Sequence, residues 1–90
     1  MSKKNQRSTQ RNTILKAMID NPDIKWWNAK DFQQGKYFVG YEATARMSEL
    51  KDIPFIEYRM NDRFRELAIN WKMRQDIQDM REIIALQEGE

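Results

Sequence analysis

The chain has 90 residues, 40% of them hydrophobic and 33% charged, with a formal net charge of +2, no cysteine and no histidine. That length makes one domain with a modest core, and the missing thiols and imidazoles exclude disulfides, zinc-thiolate sites, a cysteine nucleophile and the usual general base near pH 7. No apolar run approaches the ~20 residues of a membrane span and no signal-peptide pattern opens the chain, so a soluble protein of the cytoplasm is expected.

Charge is uneven along the chain. Residues 1–30 hold seven basic side chains against two acidic ones, residues 31–66 six against seven, and residues 67–90 three against five. Residues 1–8 are polar and aperiodic, and are expected to form a basic flexible arm. An arm carrying Lys3, Lys4 and Arg7 suits a polyanionic partner, or serves only as a solvated tail. Ser8 or Thr9 could cap a first helix running to about Asp20, with Ile14, Leu15, Met18 and Ile19 on one stripe. Pro22 ends it.

Residues 24–27 are too few for a helix and predict a strand or an extended linker, in which Trp26 and Trp27 face opposite sides. Asn28 with Asp31 resembles a capping box opening a short second helix through Ala29 and Phe32, which Gly35 closes. A third helix over residues 41–52 would bury Ala43, Met47 and Leu50, which fall within roughly 60° of one another on the helical wheel. Pro54 stops it. Residues 55–60 and 63–69 are β-prone and separated by Asn61-Asp62, which predicts a hairpin with a two-residue turn. Met73, Ile77, Met80 and Ile84 then repeat at spacings of four, three and four, a short heptad seam.

The expected order is helix, strand, helix, helix, hairpin, helix. This predicts an α+β winged helix-turn-helix domain over residues 9–71, three helices with a two-stranded β-wing, followed by an additional C-terminal helix at 72–90. In such a layout the third helix is the one free to enter a major groove.

Ala45-Arg46-Met47-Ser48-Glu49-Leu50-Lys51 resembles the A-R-I-S-E-L-R stretch of small phage and prophage winged-helix DNA-binding domains. The likeness spans residues 9–70, and its specific part is those seven residues. Met47 replaces isoleucine, Lys51 replaces arginine, and Asp52-Ile53-Pro54 stands where a glycine-containing turn is usual. The resemblance implies binding of double-stranded DNA as a phage-type transcriptional or other DNA-transaction regulator, with residues 45–51 in the recognition helix and the hairpin as the wing.

The candidate DNA contacts follow from chemistry and placement. Tyr41, Thr44 and Ser48 can donate to base edges or phosphates, and the small Ala45 lets the backbone approach a thymine methyl. Arg46 is either a DNA contact or the partner of Glu42 in an i,i+4 surface pair. Arg59, Asn61, Arg63 and Arg65 belong to the wing. Alternation assigns the three arginines to the face opposite Ile56 and Tyr58, for a narrow minor groove or a phosphate, unless they form only a charged sheet edge. Leu67 and Ile69 share the parity of Arg63 and Arg65, so the hairpin register, and the side Phe64 takes, stay open. Glu49 and Asp52 would repel phosphates if they faced a duplex.

The seam of Met73, Ile77, Met80 and Ile84 predicts intramolecular packing or a homodimer helix, and a dimer would double the contacts on a two-fold site. No spacing suggests a metal, no glycine-rich loop suggests a nucleotide, and neither a cofactor nor catalysis is expected. The alternative is a protein-interaction module that binds and inhibits a host protein, which an acidic third-helix face and an exposed tryptophan would favour.

Overall fold

The computed structural model describes residues 3–40 and 42–88, and the side chains of 9–40 and 42–87. The elements follow in the order α1 (Lys3–Asp20), β1 (Trp27–Asn28), α2 (Ala29–Gln33), α3 (Ala43–Leu50), β2 (Ile56–Asn61), β3 (Phe64–Ile69) and α4 (Arg74–Glu88). These are four helices and a three-stranded antiparallel sheet in the order β1-β3-β2, an α+β architecture. The succession of helices, strand and hairpin is the expected one.

α1 begins at Lys3, not at Ser8 or Thr9, so residues 3–8 are helical where an irregular arm was expected. Lys, Gln and Arg are good helix formers, and neither proline nor glycine interrupts that stretch. Its stripe of Ile14, Leu15, Met18 and Ile19 is buried. The capping box at α2 forms as its spacing predicts. Asn28 Oδ1 accepts from Lys30 N at 3.0 Å, and Asn28 N donates to Asp31 Oδ2 at 2.8 Å. α2 is closed at Gln34, not at Gly35: Gln34 turns extended at φ −157° while its N–H still donates to the Lys30 carbonyl, and Gly35 follows with a left-handed φ of 82°. α3 is shorter than expected, and Ala43, Met47 and Leu50 are buried as its wheel requires.

The hairpin turns one residue later than the sequence suggests. Asn61 pairs with Phe64, and the turn is Asp62-Arg63, with Asp62 at φ 61°. A two-residue turn pairs even positions of β2 with odd positions of β3, such as Tyr58 with Leu67 and Met60 with Arg65. Arg65 therefore shares a face with Ile56, Tyr58, Leu67 and Trp27, while Arg59 points the other way with Glu66 and Asn28. The three arginines do not lie on one face.

The inner face of the sheet meets the helices through Trp27, which stacks on Phe32 at 5.3 Å between centroids and meets Tyr37 edge-on at 5.1 Å. Such aromatic pairs add roughly 0.5–1.5 kcal/mol each beyond the area they bury.

The heptad seam packs within the chain. Ile77 and Ile84 are buried in the main core, and Met73 and Met80 pack against it. α4 lies on α1, where Asn12 Nδ2 donates to Gln87 Oε1 and Arg81 Nη2 lies 3.5 Å from the Ile19 carbonyl. The apolar repeat specifies that α4 needs a partner surface, and α1 supplies it. Replacing Ile77 or Ile84 with alanine is therefore expected to cost about 2–5 kcal/mol each. Denaturant unfolding checks this, and a loss that appears only on dilution of the protein would point back to association between chains.

Candidate nucleic-acid interface

α3 presents an inner strip, an outer one and two flanks. Its inner strip is Ala43, Met47 and Leu50, with Arg46 beside it. Directly opposite lie Ala45, Ser48 and Asp52, of which Ala45 and Asp52 are exposed and Ser48 is half-buried. On one flank Thr44 and Lys51 face the hairpin; on the other Glu49 faces α1.

The hairpin flank is organised by Arg65. Being on the inner face, its side chain reaches back to α3, where Nη1 lies 3.4 Å from the Thr44 carbonyl. Thr44 Oγ1 in turn accepts from Gln33 Nε2 of α2 at 3.2 Å. Lys51 Nζ sits 5.8 Å from the Tyr58 ring centroid, and Tyr58 and Met60 are exposed on the same side of the hairpin. The helix and the hairpin thus form one surface, with Thr44 and Arg65 at its corner. Arg63 is exposed in the turn beyond it.

The α1 flank is an arginine–carboxylate–arginine bridge. Glu49 Oε1 is 2.7 Å from Arg11 Nη1, and Glu49 Oε2 is 3.0 Å from Arg46 Nε. Arg46 is only 6% exposed, so it is neither a surface ion pair with Glu42 nor a direct contact for a duplex. Its Nε and Nη1 have no hydrogen bond of sound geometry, so the 3.0 Å approach to Glu49 is charge attraction without alignment. A long side chain next to the buried stripe is covered where α3 packs on α1, and burial without a charge partner would be costly.

The outer face of the sheet holds a second network. Arg59 Nε donates to Glu66 Oε1 at 2.8 Å, and the guanidinium stacks 3.9 Å from the Trp26 ring centroid. Asn28 Nδ2 donates to Glu66 Oε2 at 3.3 Å, so a row across all three strands converges on one buried carboxylate. Lys30 Nζ lies 4.2 Å above the Phe64 ring on the same face. The hydrogen bond from Arg59 holds the Glu66 carboxyl below its ordinary range, against a smaller opposing push from burial. Arg59 is therefore engaged in sheet structure, away from the surface that α3 shares with the hairpin.

Of the expected contacts, Thr44, Ala45, Ser48, Arg63 and Arg65 come together around α3 and the hairpin. Asn61 is exposed at the hairpin tip, Arg59 faces the opposite side of the sheet, and Arg46 is buried. Tyr41 and the side chains of Lys3, Lys4 and Arg7 lie outside the described residues. Arg11, Glu49 and Lys51 were not among the expected contacts. Arg11 and Glu49 are 38 positions apart, and no local spacing connects them. Among the described residues no group of carboxylates is arranged to hold a metal ion, and no helix is long and apolar enough to cross a membrane.

Comparisons with protein-family models, with curated proteins and with solved structures find no match.

Because the Glu66 carboxyl ionises more readily in the fold than in the unfolded chain, its contribution to stability is present above the unfolded pKa. It is lost as pH falls below the unfolded pKa and through the lower folded value. Glu66→Gln should remove that component. Urea unfolding at neutral pH and at low pH is then expected to show a smaller acid-induced loss in the variant than in the parent; equal losses would mean that the Arg59 bond does not bias the titration.

Proposed function

We propose that the protein is a winged helix-turn-helix domain that binds double-stranded DNA without catalysis, as a transcriptional or other DNA-transaction regulator. α3 enters the major groove and the β2–β3 hairpin lies on the backbone or in the minor groove. The observation that carries the reading is the layout around α3. A narrow ridge of small side chains, Ala45 and Ser48, runs between flanks that hold cations, Arg11 on the α1 side and Lys51 and Arg65 on the hairpin side.

That layout matches what a duplex requires. Small side chains allow the helix backbone to approach base edges, and cations beside the ridge meet the phosphates that border a groove. Thr44 and Ser48 supply hydroxyls for base edges, while Arg63 and Arg65 supply charge at the hairpin. The order β1-β3-β2, with the hairpin directly after α3, supports the winged-helix reading because it puts hairpin and helix on one surface.

One observation favours a second reading. Glu42, Glu49 and Asp52 are all exposed on or beside the outward side of α3, and a protein partner with basic side chains would suit them. Glu49 is offset by two arginines, which leaves Glu42 near the start of the helix and Asp52 just past its end. The central ridge is uncharged, and for that reason we place DNA first.

Selection from random duplex DNA at about 0.1 M salt, where phosphate contacts still contribute strongly, tests the proposal. Ser48→Glu should abolish preference for the selected sequence with little change in thermal midpoint, since the inner strip of α3 is untouched. Arg63→Ala should weaken selected and scrambled duplexes alike, because a backbone or minor-groove contact carries little base information. Unaltered binding by Ser48→Glu would remove α3 as the reader and leave the protein-interaction reading.

A further inference from the structure

We propose that Glu49 is an internal counterion that holds Arg11 in the free chain and gives it up to a DNA phosphate on binding, an inference that rests on the DNA-binding reading. The carboxylate is shared between two guanidiniums of unequal freedom. Arg11 and Glu49 side chains are 36% and 35% exposed, whereas the Arg46 side chain is 8% exposed. The two carboxylate oxygens are divided between them, Oε1 to Arg11 and Oε2 to Arg46.

The asymmetry decides which cation can leave. An exposed ion pair contributes little, because water and salt compensate both charges when it separates. A buried guanidinium has no such compensation, and losing the carboxylate beside it leaves a charge in the interior without that partner. Arg46 already has Nε and Nη1 buried without an aligned hydrogen bond, so it holds Glu49 in place. Arg11 is therefore the exchangeable member. When it turns to a phosphate, Glu49 remains beside Arg46 and can align better with it, which offsets part of the cost of breaking the Arg11 contact.

The position of the bridge gives the exchange a consequence. Glu49 lies on the α1 flank of α3, and Arg11 is the cation nearest that flank among the described contacts. In the free chain this side of the ridge presents a carboxylate already bound to arginine; in the complex it presents Arg11 to the duplex backbone. Glu49 thus lowers affinity for every phosphate backbone equally, which leaves the ridge side chains to supply discrimination. It is a positioning residue, acting through Arg11.

The test compares the parent protein, Glu49→Gln, Arg11→Gln and the double variant by titration against one mixed-sequence duplex across a salt series, with thermal midpoints measured alongside. Glutamine at position 49 keeps an acceptor for Arg46 and removes the charge. Glu49→Gln is expected to bind up to about fivefold more tightly, the scale of one exposed ion pair. Arg11→Gln is expected to lower the slope of log affinity against log salt by about 0.9, the value for one lost phosphate contact. In the Arg11→Gln background the gain from Glu49→Gln should largely vanish, since the two act through one contact.

A gain that persists undiminished without Arg11 would mean simple repulsion by Glu49 and overturn the exchange. Equal binding by Glu49→Gln and the parent would overturn it too. Failure of the parent itself to bind the duplex would overturn the DNA reading along with it, an outcome distinct from either. Should Glu49→Gln lower the thermal midpoint too far for titration, side-chain NMR of the unsubstituted protein decides. The Arg11 Nε–H resonance should move on adding duplex while that of Arg46 stays; both unmoved, or both moved together, would refute the exchange.

Discussion

The fold depends on a two-residue strand. Trp27 and Asn28 are consecutive and extended, so their side chains go to opposite faces of the sheet, and each face needs the one it receives. Trp27 enters the core between Phe32 and Tyr37, while its backbone pairs with Leu67. Asn28 turns outward to cap α2 and to bind Glu66. One dipeptide therefore joins the helical first half of the chain to the hairpin. A lone two-stranded hairpin is marginal in water, and β1 makes it the three-stranded sheet that can bear on α3.

The joint also sets where the candidate interface lies. Pairing β1 with β3 leaves β2 at the edge, with the inner-face side chains beyond the core at its far end. Tyr58, Met60 and Arg65 occupy those positions beside α3, and Arg65 reaches the Thr44 carbonyl. The outer face is tied up in the Arg59–Glu66–Asn28 row and in the stacking of Trp26 on Arg59. Antiparallel alternation thus separates two arginine roles, one holding the sheet and one bordering the helix.

Charge counting along the chain overstates what a partner would meet. The sixteen basic residues include Arg46 and Arg59, whose cationic groups are committed to Glu49 and Glu66. Arg46 was expected at the surface because arginine rarely lies fully inside, yet with a carboxylate beside it, it is covered, while Arg59 stays exposed on the outer face of the sheet. The same commitment quiets the acidic side of α3, since Glu49 is offset from two directions. What remains around the ridge of Ala45 and Ser48 is a sparse set of cations on its flanks, so the shape of the ridge and its hydroxyls weigh more in the DNA reading than bulk charge does.

Features decided within a few residues were legible in the sequence alone. Asn28 and Asp31 form a capping box because the bonds span three positions; Pro22 and Pro54 interrupt helices by their own geometry; Ala43, Met47 and Leu50 share a face because the helix repeats every 3.6 residues. The order of elements followed from such local signals. Tertiary structure alone decided the rest, because those choices depend on contacts between distant positions. The turn at Asp62-Arg63 and the pairing of Arg59 with Glu66 fix which arginines face α3, and the packing of α4 on α1 places Ile77 and Ile84 in the core. The sequence offered Arg46 the carboxylate of Glu42 or a DNA contact; α1, bringing Arg11 alongside, is packed where Glu49 is the carboxylate that both arginines share.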